Sequence, residues 1–366
     1  MTDTGNERKV IRVAVLFGGQ SDEHDVSIRS AQTVMGALDG NRYEVVPIGI
    51  TRAGSWVVDG DPMAALVAAS DELSTGLTSP DRDVVPVAPV TGALAIAGDD
   101  TAPIVAFPVL HGPFGEDGSV QGLLEVVGVP FVGSGVLGSA VAMDKAIAKQ
   151  VLASAGVPQL PWRLVQRREI QDHAESVADR LESEIGLPCF TKPANLGSSV
   201  GISRVSTRDE LIPALREAAF YDRRIVVERG VDAREIELSV LGNDDPIASV
   251  AGEIVPRGGF YDYNAKYIDD STDLVIPAEL EPGLLRQLQQ MAVAAFRALD
   301  LAGLARVDFF VERGTDQVYL NEVNTLPGFT SISMYPMLWE ASGVPLSELV
   351  DRLIDLAIER HGERKR

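Results

Sequence analysis

The sequence is short of several things, and each shortage excludes something. One cysteine, Cys189, in 366 residues excludes an internal disulfide framework and any thiolate-built zinc site. The four histidines (His24, His111, His173 and His361) are too scattered to suggest a His-rich metal site. Basic residues are scarce: 32 Lys and Arg face 53 Asp and Glu, a formal charge of −21. Such a chain attracts neither nucleic acid nor an anionic membrane by bulk charge, so any bound polyanion must meet a local cluster of cations. Long apolar runs are missing as well. The longest uncharged stretch, Val126–Met143, contains Pro130 and four glycines and reads as strand, turn and loop rather than a spanning helix. Residues 1–9 are polar and carry no targeting pattern. A lone thiol without an export signal predicts a cytoplasmic protein.

What is present suits an enzyme of two or three domains, with 45% apolar residues over this length. Val10–Leu16 is β-rich and runs into Phe17-Gly18-Gly19-Gln20-Ser21. A helix is predicted over Ser27–Leu38, with Ile28, Ala31, Met35 and Leu38 on one side. Strands are predicted at Tyr43–Ile50 and Ile104–Leu110. Strand, glycine turn, helix, strand is the rhythm of an open α/β sheet. Residues 58–102 have weak periodicity and read as a variable peripheral insertion.

A boundary is expected near Gly133-Ser134-Gly135. Lys145–Ala155 reads as a helix stopped by Gly156 and Pro158. The β-rich runs Pro188–Pro193 and Val200–Val205 flank the loop Ala194–Ser199, and Arg224–Glu228 and Glu235–Leu241 are further strands. Residues 256–278, with three tyrosines and Asp269-Asp270, suggest a long functional loop. An amphipathic helix follows at Leu284–Leu299, then a hairpin of Leu304–Val311 and Val318–Asn324, then two terminal helices.

The hairpin is the most informative segment. Alternation puts Arg306 and Asp308 on one face of their strand, and Glu322 and Asn324 on one face of the next. If the two faces coincide, a guanidinium, two carboxylates and a carboxamide converge. That oxygen-rich set suits Mg²⁺, which completes its shell with water and phosphate oxygens. The alternative is a solvated face of ordinary charges. Phosphates beside such a site need cations, and Lys145 and Lys192 are candidates, although either alone could be a surface residue. Gly197, Ser198 and Ser199 offer backbone and hydroxyl donors with little bulk, in a loop able to close over a phosphate. No Walker A pattern occurs.

Three strings carry a resemblance: Lys192-Pro193-Ala194-Asn195-Leu196-Gly197-Ser198-Ser199-Val200-Gly201, His111-Gly112-Pro113-Phe114-Gly115-Glu116-Asp117-Gly118, and Asn321-Glu322-Val323-Asn324-Thr325-Leu326-Pro327-Gly328. Together and in this order they resemble the D-alanine–D-alanine ligases of the ATP-grasp superfamily. The resemblance covers nearly the whole chain, residues 58–102 being least characteristic. It implies an ATP-grasp fold, α+β in its ATP-binding part, behind an N-terminal open α/β domain, and a homodimer. The implied division is 1–133, 134–228 and 229–366, with a mobile lid near 256–278.

The implied reaction is phosphorylation of one D-alanine carboxylate by ATP. The amine of a second D-alanine then attacks the acyl phosphate, through a tetrahedral intermediate, to make a peptidoglycan precursor. Residue by residue, Asp308, Glu322 and Asn324 match ligands of two Mg²⁺ (or Mn²⁺), and Lys145 and Lys192 match phosphate lysines. Ser198 and Ser199 lie in the loop over the phosphates; Glu228 and Glu235 match acids of the nucleotide pocket, though each alone could lie on the surface. Glu23 matches the carboxylate that holds the first ammonium, joined to Ser198 and Tyr267 in a triad. Arg306 and the N–H of Gly328 match oxyanion donors. His111 matches a histidine near the first substrate, and Lys266, Ser333 and Met334 match the side of the second. Thr191 and Gly230 depart from the family pattern beside the nucleotide. Alternatives are a D-alanine–D-lactate ligase, which a phenolic residue at 267 disfavours, another ATP-grasp carboxylate–amine ligase, and a non-catalytic ATP-grasp module.

Overall fold

The computed structural model describes residues 10–75, 88, 91, 104–256 and 272–364. These residues build three sheets. The first contains β1 (Ile11–Gly18), β2 (Tyr43–Ile50), β3 (Trp56–Val57) and β4 (Ile104–Val109) in the order β3-β2-β1-β4, with β1 parallel to β2 and β4. Val13 to Phe17 are fully buried because β1 is covered on both sides, as central parallel strands are. Val13, Val15 and Phe17 pack on Ile28, Ala31 and Val34 of the helix His24–Ala37. Ala14 and Leu16 pack on Val120 and Leu124 of the helix Ser119–Val126.

The chain leaves β1 for β2 on one side and returns to β4 on the other. Strand order reverses there, so the loops after β1 and β4 open side by side at the carboxyl ends of the strands, where open α/β sheets hold ligands. Ser27 ties the two ends together: its hydroxyl accepts from Gly18 N–H and donates to the Val109 carbonyl.

The second sheet joins β5 (Trp162–Gln166), β6 (Cys189–Pro193), β7 (Ser203–Val205) and β8 (Arg224–Arg229) in the antiparallel order β5-β8-β6-β7. The helices Arg167–Glu184 and Arg208–Tyr221 complete its core. The third, also antiparallel, joins β9 (Ala233–Gly242), β10 (Ile247–Pro256), β11 (Thr272–Val275), β12 (Gly303–Glu312) and β13 (Val318–Asn324) in the order β11-β10-β9-β12-β13. Alternation divides this sheet sharply. Ile236, Leu238, Val240, Val307, Phe309 and Val311 pack on Leu288, Ala292 and Phe296 of the helix Pro282–Ala298. Their sequence neighbours Glu235, Glu237, Arg306 and Asp308 take the other face.

Several expectations need correction. Val126–Met143 is not only strand and loop. It holds a bridge at Phe131 to Ala106, but Val136–Met143 is a helix. Gly138 there marks close packing, since a Cβ would lie 2.6 Å from the Asp300 carbonyl oxygen. Within the supposed irregular insertion 58–102, Pro62–Thr75 is a helix that buries Leu66 in the first sheet's core; apart from residues 88 and 91, positions 76–103 lie outside the described residues. At the far end of the expected long loop, Thr272–Val275 pairs with β10 as a strand. Two of the cores draw on distant parts of the chain. Ala148 and Leu152 of the helix Lys145–Ser154 enter the third sheet's core, and Leu349, Val350 and Leu353 of the helix Leu346–Arg364 enter the first's.

Candidate active site

One pocket receives loops from all three sheets. Glu23 follows β1, and His111 and Glu116 follow β4. Lys145 begins its helix, Gly197 and Ser198 lie between β6 and β7, and Arg306, Glu322, Asn324 and Gly328 come from the β12–β13 hairpin and its exit.

The hairpin faces coincide. Arg306 stands opposite Asn324 and Asp308 opposite Glu322. Asp308 is 8% exposed and accepts from Arg306 twice, Nε to Oδ1 and Nη2 to Oδ2, both at 2.7 Å. Asn324 Nδ2 also donates to Asp308 Oδ2 at 3.0 Å. The register slips between Asp308 and Phe309, so two residues of β13 oppose one of β12. Asn321 is the extra residue, and its Oδ1 accepts from Lys192 Nζ at 3.4 Å. Burial opposes charge on Arg306, but Asp308 and Glu237 outweigh it and hold its pKa well above the usual range. Among the described residues no group of three or more His, Cys, Asp and Glu gathers as a metal site. Asp308, Glu322 and Asn324 nonetheless offer two carboxylates and a carboxamide, hard oxygens of the kind that suit Mg²⁺.

Facing this hairpin are the cations. Asp144 caps the helix Lys145–Ser154, accepting from Ala146 N–H at 3.1 Å and Ile147 N–H at 3.0 Å, and it pairs with Arg224. The cap fixes Lys145, whose Nζ donates to the Leu196 carbonyl and lies 3.9 Å from Glu322 Oε2. One turn on, Lys149 is 3% exposed and paired with Glu228. Lys192 Nζ takes the other Glu228 oxygen at 2.8 Å. Glu228, 1% exposed, is thus held between two lysines. Burial works against its charge, yet the lysines lower its pKa. Burial lowers Lys149, which Glu228 does not fully offset, whereas Lys192 ends raised because Glu228 outweighs burial there. Glu235 lies half-buried on β9, near enough to Lys192 to raise its pKa, but does not line the pocket.

The remaining wall is polar and partly unsatisfied. Ser198 and Ser199 both adopt left-handed backbone, φ 52° and 60°, which is strained for non-glycine residues. The Ser198 hydroxyl is buried without a hydrogen-bond partner among the described residues. His111 donates from Nδ1 to the Leu326 carbonyl at 2.9 Å, which leaves Nε2 as a bare acceptor, also buried and unpartnered. Orphaned groups of this kind are costly unless a ligand satisfies them. Glu116 accepts from Gly112 N–H at 2.9 Å. Its pKa is pushed up to about 8, by burial first and then by the charge of Glu23. Glu23 is 9% exposed, and its Oε2 approaches both Gly112 and Gly197.

Ser333 and Met334 have partners of their own. The Ser333 hydroxyl accepts from Thr330 N–H at 3.0 Å, and Met334 packs on Ile254 and Leu338; neither lines the pocket. Lys266 and Tyr267 lie outside the described residues. Both sequence departures have a local reason. Thr191 is buried with its hydroxyl on the Ala214 carbonyl at 3.4 Å, and a Cβ on Gly230 would lie 2.9 Å from the Pro188 carbonyl oxygen. Sequence reasoning missed Lys149 and Glu237 and assigned nothing to Glu116 or Asn321. Lys149 was findable, four residues after Lys145 on the same helix face. Glu237 was not, because only the β9–β12 register sets it opposite Asp308.

Comparison with known proteins gives one answer. Residues 12–134 match the family described as D-ala D-ala ligase N-terminus, and residues 151–355 match D-ala D-ala ligase C-terminus. The D-alanine–D-alanine ligase of Geobacillus thermodenitrificans is 51% identical over 97% of both chains, and that of Heliobacterium modesticaldum 48% identical over 97% of this chain and 96% of the other. Among solved structures, the D-alanine–D-alanine ligase of Coxiella burnetii superimposes with a TM-score of 0.81 at 37% identity, covering 98% of this chain and 96% of that one. The VanG D-Ala:D-Ser ligase of Enterococcus faecalis gives 0.80 at 32% identity, covering 95% and 100%. The fold is therefore ATP-grasp, and the chain belongs to the D-alanine–D-alanine ligase family.

Proposed function

We propose that this pocket joins two D-alanines, using ATP to phosphorylate the first carboxylate and releasing ADP and phosphate as the second amine attacks. The observation that carries this is the facing of two charge sets. The acids Asp308 and Glu322 stand directly opposite one another on adjacent strands, and Lys145 and the Ser198 loop lie across from them. Glu23 takes the first ammonium, Ser198 and Ser199 close over the transferring phosphate with Lys145 and Lys192, and Glu228 and Glu235 serve the nucleotide. Phosphoryl transfer is mostly positioning and electrostatics, which fits a site of fixed charges. Asp308, Glu322 and Asn324 would hold Mg²⁺, two ions in the fullest reading, whose chemistry is charge neutralisation at the phosphoryl oxygens. Arg306 and Gly328 N–H stabilise the oxyanion of the tetrahedral intermediate. His111 faces the first substrate, and Lys266, Ser333, Met334 and Tyr267 serve the second.

The division 1–133, 134–228 and 229–366 and a cytoplasmic site of action belong to the same reading. Among the described residues no helix is long and apolar enough to cross a membrane. Homodimerisation is supported by exposed Val126, Val136 and Leu137 on adjoining helices. The deciding experiment supplies ATP, Mg²⁺ and D-alanine and measures phosphate release and product, with L-alanine and D-alanine/D-lactate mixtures as controls. D-alanyl-D-alanine with one ADP per bond is expected. Ester product from the mixture, or nucleotide binding without turnover, overturns the reading.

A further inference from the structure

Arg306 is gripped from two sides, and only one grip belongs to the ligand set already described. On its own strand Asp308 takes Nε and Nη2. From the neighbouring strand Glu237 brings Oε2 to 2.9 Å from the same Nε, an ion-pair contact rather than a hydrogen bond because that N–H donates to Asp308. Glu237 stands directly opposite Asp308 in the β9–β12 register and is 5% exposed. The guanidinium therefore lies between two carboxylates on facing positions, and its Nη1 makes no hydrogen bond among the described residues.

We propose that Glu237 is a positioning residue for the ligation step: it fixes the Arg306 guanidinium so that its free donors stay aimed at the oxyanion. This rests on the role given to Arg306 under the proposed function. The reason for a second carboxylate lies in the crowding of Asp308. Its Oδ2 already accepts from both Arg306 and Asn324, and its Oδ1 accepts from Arg306. A cation bound to Asp308 competes for those same lone pairs and loosens the grip on Arg306. Glu237 is outside the proposed metal ligands and keeps its hold. An oxyanion donor works only if it is fixed before charge develops, and a long arginine side chain is not fixed by itself.

The test is Glu237→Gln, nearly isosteric but uncharged, in wild-type and Arg306→Ala backgrounds, with thermal melting followed in parallel. In the wild-type background kcat for dipeptide formation should fall at least fivefold, with KM for ATP within twofold. In the Arg306→Ala background the same change should cost less than twofold, because the residue through which Glu237 acts is gone. A smaller loss, or one of equal size in both backgrounds, overturns the proposal, since a merely structural role adds to any other lesion. Should the Gln variant not fold, Glu237→Asp draws the carboxylate back from Nε and carries the same pair of comparisons. A wild-type protein that releases no phosphate with D-alanine overturns the underlying reading and this inference with it. An active wild type with insensitive Glu237 variants overturns the inference alone.

Discussion

Lys145 reaches across the pocket to Glu322, with Nζ 3.9 Å from Oε2, while the same ammonium donates to the carbonyl of Leu196. One side chain thus connects the loop expected over the phosphates with the acidic hairpin. Its placement is set by the Asp144 cap at the start of its helix and by the Lys145 N–H bond to Ala194 O at 2.9 Å.

Removing that ammonium should therefore weaken nucleotide handling more than folding. Lys145→Ala is expected to lower kcat/KM for ATP by about 10- to 100-fold, the worth of roughly 1.5–3 kcal/mol for hydrogen bonds from a charged donor. Steady-state kinetics with ATP varied at saturating D-alanine check this. A loss under threefold would separate Lys145 from the phosphates.

Arg306→Ala should be more severe on turnover. Loss of one oxyanion donor costs about two to three orders of magnitude in kcat. The melting temperature should be followed as well, because Asp308 loses its bidentate partner. Near-normal turnover by ADP release would take Arg306 out of the mechanism.

The β12–β13 hairpin was legible because strand alternation is a period-two rule that needs no tertiary information. It paired Arg306 with Asp308 and Glu322 with Asn324, and the register shows that the two faces coincide. The bulge that turns Asn321 toward Lys192 was not legible, since it depends on how the partner strand pairs. Glu237 was hidden for the same reason: its meaning arises from a strand about seventy residues away in sequence. Val136–Met143 was misread because glycine signals a turn in isolation and close packing in context. The Glu228 pairing was half legible. The resemblance assigned it to the nucleotide, but its burial between Lys149 and Lys192 is a tertiary fact.

That burial makes an ordering prediction. Glu228→Gln removes the ion-pair partner that buried Lys149 and half-buried Lys192 share, whereas Lys149→Met leaves Glu228 still paired with Lys192. Breaking a buried pair so that charge is stranded costs roughly 3–5 kcal/mol. The Met substitution should cost about 1–3 kcal/mol, because an aliphatic chain replaces the lysine stem and one ion pair survives. Urea denaturation of both variants orders them. The reverse order would show that Lys192 alone does not neutralise Glu228.

Glu116 makes stability depend on pH with a definite sign. In the unliganded fold its pKa is pushed up from the usual 4.5 to about 8, chiefly by burial and then by Glu23. The folded chain keeps a proton that the unfolded chain releases, so the unfolded state binds fewer protons between those values and stability falls as pH rises through the window. The contribution is fully present below about 4.5 and lost by about 8. Its size is at most a few kcal/mol, since the pocket gives the carboxyl some access to water. Glu116→Gln keeps an acceptor for Gly112 N–H and cannot ionise. The drop in melting temperature from pH 6 to pH 8.5 should therefore be several degrees smaller in the Gln variant than in wild type, at about 1 kcal/mol per few degrees for a chain of this size. Equal drops in the two proteins would mean that Glu116 is already ionised at pH 6.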